Sequence, residues 1–180
     1  GPFTAGTFDT IRQRWTAGVR GMDAGGGFWL ARHFSTLYGP FQTNDPSGVG
    51  YVTITSTDDD VVFTSETILA SGAHGGFRAP EPALAFRLVE GRIEPGETVT
   101  LTYGDTGAGG PGLLITTVSG ESVPLPVYVA LDEDSAWMML PIQPFVIEGA
   151  DVTGVHGFAP SVVAPGEPFE LSVRAQDAWY

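Results

Sequence analysis

A chain of 180 residues suits one domain, or one domain and part of another, and 42% hydrophobic content allows a sizeable core. Twenty-one acidic side chains stand against eight basic ones, all arginine, and the net charge of −13 opposes binding to nucleic acid or to an anionic membrane surface. The absence of cysteine removes thiol catalysis, cysteine-ligated zinc and disulfides, and no run reaches the roughly 18 apolar residues of a membrane-spanning helix.

Read from the N-terminus, TFDTIRQRW (7–15) has plausible helical chemistry, while the alternation of Trp15, Ala17 and Val19 equally predicts an incoming strand. FWLARHF (28–34) is apolar on both faces near its start and predicts a central strand. DDD (58–60) lies between YVTITST and VVFTS and reads as a hairpin turn. GAHGGFRAPEPA (72–83) reads as a loop, and Leu84, Phe86 and Leu88 mark the strand after it. Val99, Leu101 and Tyr103 interleave with Thr98, Thr100 and Thr102, the period of a half-buried strand. LDEDSAW (131–137) joins two further strand-like runs, and Phe169, Leu171, Val173 and Ala175 alternate with polar residues in the last one. The pattern predicts an all-β chain, an immunoglobulin-like antiparallel β-sandwich.

IEPGETVTL (93–101) and VAPGEPFEL (163–171) echo each other at a spacing of 70, with Pro95 over Pro165, Gly96 over Gly166 and Glu97 over Glu167. In both, a tight Pro-Gly turn precedes an alternating strand. The echo divides the chain into a β-sandwich domain over 3–149 and a segment over 150–180. That segment is either the truncated start of a second immunoglobulin-like unit or a set of strands docked on the first.

GDTGAGGPG (104–112) contains Gly107-x-Gly109-x-x-Gly112, the formal spacing of a dinucleotide fingerprint. Such a loop needs a strand before it and a helix after it, whose free N–H groups hold the phosphate. TVTLTY precedes it, but LLITTVSG follows, which is β-branched and closed by glycine. The glycines are therefore expected to form a wide hairpin connection, and no cofactor is implied.

The run from Ile93 to Pro141, with its Pro-Gly-acidic turn, strand and glycine-aspartate segment, resembles the N-terminal β region of the bacterial family catalogued as domain of unknown function 3604. PSVVAPGEPFELSVRAQD (160–177) is similar to the segment that follows it there, and NDPSGVGYVTI (44–54) fits more loosely. The resemblance implies an accessory β domain preceding a larger domain whose His- and Asp-rich motifs suggest a metal-dependent hydrolase. None of those motifs falls in these residues, so no catalytic residue is carried over.

The three histidines, His33, His74 and His156, have no second ligand at metal-binding spacing. Asp132 and Asp134, and the 58–60 run, are the carboxylates with which a loop could offer oxygens to calcium, against the plainer reading of solvated acidic turns. Asp105, among glycines, reads as a turn former. Trp15, Trp29, Trp137 and Trp179, with Tyr38, Phe41 and Tyr51, could stack on sugar rings if they share one exposed face, although tryptophan in such domains more often fills the core. The expectation is a non-catalytic accessory domain whose partner is a neighbouring domain of the parent chain, with His74 and Asp105 on its contact loops, 72–83 and 104–112. Polysaccharide binding through exposed aromatics is the second reading, and a metal-assisted hydrolase built from scattered His and Asp the third.

Overall fold

The computed structural model describes residues 1–31, 39–70 and 81–179. Strands are numbered along the chain. β3 (Ile11–Thr16), β5 (Val52–Ser56) and β8 (Thr98–Tyr103) form a three-stranded sheet in the order β3-β8-β5. β4 (Gly27–Leu30), β6 (Val62–Ala70), β7 (Glu81–Glu90), β11 (Val127–Ala130) and β12 (Met138–Met139) form a five-stranded sheet in the order β12-β11-β4-β7-β6. β1 (Phe3–Thr4), β10 (Gly120–Val123) and β13 (Phe145–Glu148) form a small sheet in which β1 and β13 run parallel. β2 (Phe8–Asp9) pairs with β9 (Leu113–Leu114), and β14 (Gly154–Phe158) pairs with β15 (Ser172–Gln176). The chain is all-β, with no helix among the described residues and mostly antiparallel sheets, as a β-sandwich has.

The two larger sheets share one core because each presents alternate apolar side chains. Val99, Leu101 and Tyr103 of β8 are buried beside Phe28 and Leu30 of β4, Leu84, Phe86 and Leu88 of β7, and Val127 and Val129 of β11. Trp15 meets Phe28 edge-on with ring centroids 5.3 Å apart, an arrangement the ring quadrupoles favour. β4 is buried on both faces, as a central strand must be. At Gly27 a Cβ would overlap the Phe86 carbonyl oxygen on the neighbouring strand, so only glycine lets β4 and β7 approach this closely.

The segment 7–15 is extended, not helical, carrying β2 and most of β3. The 58–60 run is not a hairpin turn: β5 pairs with β8 and β6 with β7, so these aspartates carry the chain from one sheet to the other. Of the expected 72–83 loop, residues 72–80 lie outside the described residues, and Glu81 to Ala83 are not loop but pair in β7. His33, Tyr38 and His74 lie outside the described residues. The Pro-Gly echo recurs as geometry. Glu97 N–H donates to Glu94 O at 3.1 Å and Glu167 N–H to Ala164 O at 3.2 Å, with Gly96 at φ +91° and Gly166 at φ +81°. Both are turns that need a left-handed residue at their third position. After the second turn, however, strand pairing begins only at Ser172.

Candidate functional site

The glycine-rich segment is not a hairpin. Tyr103 pairs with Ile11 and Leu113 pairs with Asp9, so the chain leaves its ladder at Gly104 and rejoins the same partner segment at Gly112. Residues 104–112 are a closed loop whose neck is pinched shut. Gly104 and Gly112 hold φ of +66° and +109°, and a Cβ on Gly104 would overlap the Leu113 nitrogen. Thr10 Oγ1 donates to Gly104 O at 2.7 Å and closes the neck from the side.

Inside the loop the Gly107 amide is held by the loop's own anion. Asp105 accepts from Thr53 Oγ1 at 2.6 Å and from Gly107 N–H at 2.9 Å, and its own N–H donates to Tyr51 O. The Thr53 hydroxyl foremost, then the Gly107 amide, hold the Asp105 carboxyl below the usual aspartate range. A carboxylate there repels a phosphate, and the loop continues into β9, so the spacing of Gly107, Gly109 and Gly112 lacks the following helix whose N-terminus a dinucleotide fingerprint uses.

The tryptophans divide between two surfaces. Trp15 is on the inner face of β3, against Phe28, whereas Trp29 is on the outer face of the five-stranded sheet. Register puts Tyr128 directly opposite Trp29, and the two rings stack at 4.3 Å. Trp137 meets Trp29 edge-on at 6.3 Å and 79°, and the Arg87 guanidinium lies 4.7 Å above the Trp137 ring. Arg87 also pairs with Glu66 at 2.8 Å and donates to Gly25 O at 3.1 Å. Trp29 is buried, with its Nε1 unpartnered among the described residues. These tryptophans therefore do not form one flat exposed platform. Tyr128 and Arg87 complete the cluster, and neither was legible from sequence, because only cross-strand register brings them there.

Asp132 spends its oxygens within its own turn and on one arginine: Oδ1 accepts from Ser135 Oγ at 2.6 Å and Oδ2 lies 3.2 Å from Arg20 Nη2. The Ser135 hydroxyl is the main reason its carboxyl sits below the ordinary range. Asp134 is exposed beside it. Among the described residues no three His, Asp or Glu side chains converge in a way that could hold a metal ion.

The C-terminal hairpin is the surface that sequence alternation hinted at without revealing its exposure. Register places Val155, Val173 and Ala175 on one face of β14–β15, and His156, Phe158, Ser172, Arg174 and Gln176 on the other. Trp179 lies over Gly6, and Ala150 N–H donates to Asp177 Oδ2 at 3.0 Å, so the base of the hairpin is tied to the rest of the chain. Its apolar face is uncovered: Val155 is 65%, Val173 63% and Leu171 59% exposed. A two-stranded sheet with one apolar face buries it against something in ordinary circumstances.

No family model, no curated protein and no solved structure matches the chain.

Proposed function

We propose that this chain is a non-catalytic accessory module that packs against a neighbouring domain of its parent protein, with the apolar face of β14–β15 as the contact surface. The observation that carries this reading is the exposure of Val155, Leu171 and Val173 on one face of a hairpin whose opposite face, apart from Phe158, is polar. An apolar face of that kind gains roughly 25 cal/mol per Å² when covered. The resemblance to the domain of unknown function 3604 family makes the neighbour the catalytic part of a metal-dependent hydrolase. The immunoglobulin-like reading of the sandwich rests on the two Pro-Gly turns that each precede a strand. Sugar stacking draws less support, since Trp15 faces the core and Trp29 lies under Tyr128.

Hydrogen exchange of the 180-residue chain, alone and mixed with the neighbouring domain of its parent protein, tests the reading. Protection of the β14–β15 amides on mixing is expected, and the paired changes Val155→Asp and Val173→Asp should weaken the complex at least tenfold while β3–β8 protection stays unchanged. Unaltered exchange of the hairpin at saturating neighbour would sink the proposal.

A further inference from the structure

β3 is an edge strand: among the described residues it pairs only with β8. The side of each residue's backbone follows from the ladder. Ala17 N–H donates to Glu97 O at 2.8 Å and Gly96 N–H donates to Ala17 O at 2.9 Å, so the polar groups of Ala17 face β8. Antiparallel alternation then turns those of Trp15, Gln13 and Ile11 the same way, and those of Thr16, Arg14 and Arg12 outward. Among the described residues, these three in alternation thus have no backbone partner for their outward N–H and C=O groups, along about 13 Å of edge.

That edge is one wall of a groove of about 550 Å³ that runs between the sheets, lined among others by Trp15, Phe28, Leu101, Val127, Leu140 and Phe145. A strand laid against β3 would point every second side chain into this apolar space. Its remaining side chains would stand beside Arg12, Arg14 and Thr16 on the outer face, where the neighbours inward are Thr102, Thr100 and Thr98. Arg20, Arg87 and Arg92 each touch a carboxylate, whereas Arg12 and Arg14 are exposed and have no carboxylate in contact among the described residues, although Arg12 lies near enough to Asp105 to help hold its carboxyl down. On a chain of net charge −13, this places two neighbouring cations on one exposed face of an edge strand.

We infer that the free edge of β3 is a strand-addition site for an extended peptide of another protein, in which acidic residues alternate with apolar ones. Main-chain bonds to Arg12, Arg14 and Thr16 supply the affinity, and the two arginines and the apolar groove read the alternation. A basic peptide is rejected by the same two guanidinium groups. The β3 edge and the β14–β15 hairpin are separate surfaces, in different sheets.

The probe is a blocked hexapeptide of alternating glutamate and isoleucine, titrated into the intact chain and followed by amide chemical shifts. Saturable shifts centred on residues 12–16 and 140–145 are expected, with affinity falling at least tenfold in the Arg12→Glu, Arg14→Glu double variant. Arg14→Gln keeps the outward N–H and should weaken binding modestly. Arg14→Pro removes it at a position where no ladder bond to β8 is lost, and should abolish binding while the thermal midpoint holds. Equal affinity for a lysine–isoleucine peptide, binding indifferent to the charge reversal, or no shift at millimolar peptide would each overturn the inference. So would a dimer, seen by sedimentation without peptide and lost in Arg14→Pro, because the occupant would then be a second copy of this chain.

Discussion

Tyr103 donates its hydroxyl to Gln13 Oε1 at 2.7 Å, and Gln13 Nε2 donates to Leu125 O at 2.8 Å, so one amide ties the three-stranded sheet to the segment that leads into β11. Tyr103 is fully buried and β8 offers its hydroxyl no second partner. Gln13→Leu leaves both the phenol and the Leu125 carbonyl without that bond, at a cost of about 2–3 kcal/mol. Tyr103→Phe loses one bond and strands only the amide oxygen, at about 1–2 kcal/mol. Denaturant unfolding of the two single variants and the double variant should give a coupling well above zero, since the residues share one bond. Additive losses would show that the amide finds another partner.

The same phenol makes the fold alkali-sensitive. Burial pushes the Tyr103 hydroxyl well above the usual tyrosine range, because the phenolate would be stranded in the core. Below the unfolded value near 10 both states hold the proton and stability does not change with pH on this account. Above it the unfolded chain releases the proton and the folded chain retains it, so stability falls with a slope approaching about 1.4 kcal/mol per pH unit. Tyr103→Phe should flatten that decline relative to the parent between pH 10 and 11.5, measured as denaturant midpoints. Parallel curves for the two proteins would contradict the assignment.

Strand existence was legible because a half-buried strand cannot avoid alternation: Val99, Leu101 and Tyr103 must face one way, and they do. Strand partnership was not. The aspartates at 58–60 have the composition of a hairpin turn, yet the pairing of β5 with β8 and β6 with β7 is decided by surfaces distant in sequence. The stack of Tyr128 on Trp29 depends on register across β4 and β11, which no local pattern encodes. At the glycine loop, flanking residues correctly spoke against a helix, but a chain that leaves a ladder and rejoins the same partner looks locally like a hairpin.

The loop's neck separates the glycines by role. Gly104→Ala places a methyl group against the Leu113 nitrogen at φ +66°, and no flexible side chain is present to yield. A loss of at least about 3 kcal/mol is expected, from overlap added to left-handed strain. Gly109 also has positive φ, +86°, but nothing within reach of an added Cβ, so Gly109→Ala carries only the conformational term of about 1–2 kcal/mol. If the fingerprint spacing mattered and the neck did not, the order of the two variants in thermal unfolding would reverse.

Asp105 gives the loop an acid-labile anchor. Its carboxyl is held down mainly by the Thr53 hydroxyl and then by the Gly107 amide, so the folded state keeps the charge to lower pH than the unfolded chain does. The sign follows: this contribution is complete above the ordinary aspartate value near 3.9 and is lost as pH falls through the lower folded value. Asp132 shifts in the same direction, so wild-type acid sensitivity has at least two sources, and only a comparison isolates the loop. Asp105→Asn keeps an acceptor for Thr53 but removes the charge. The variant should be destabilised at pH 6, should lose less stability than the parent between pH 4.5 and 2.5, and should exchange its Gly107 amide faster at neutral pH. Thr53→Val should accelerate the same amide less, because the Gly107 bond survives it. An unchanged Gly107 exchange rate in Asp105→Asn would mean that the neck alone, through Gly104 and Gly112, holds the loop in shape.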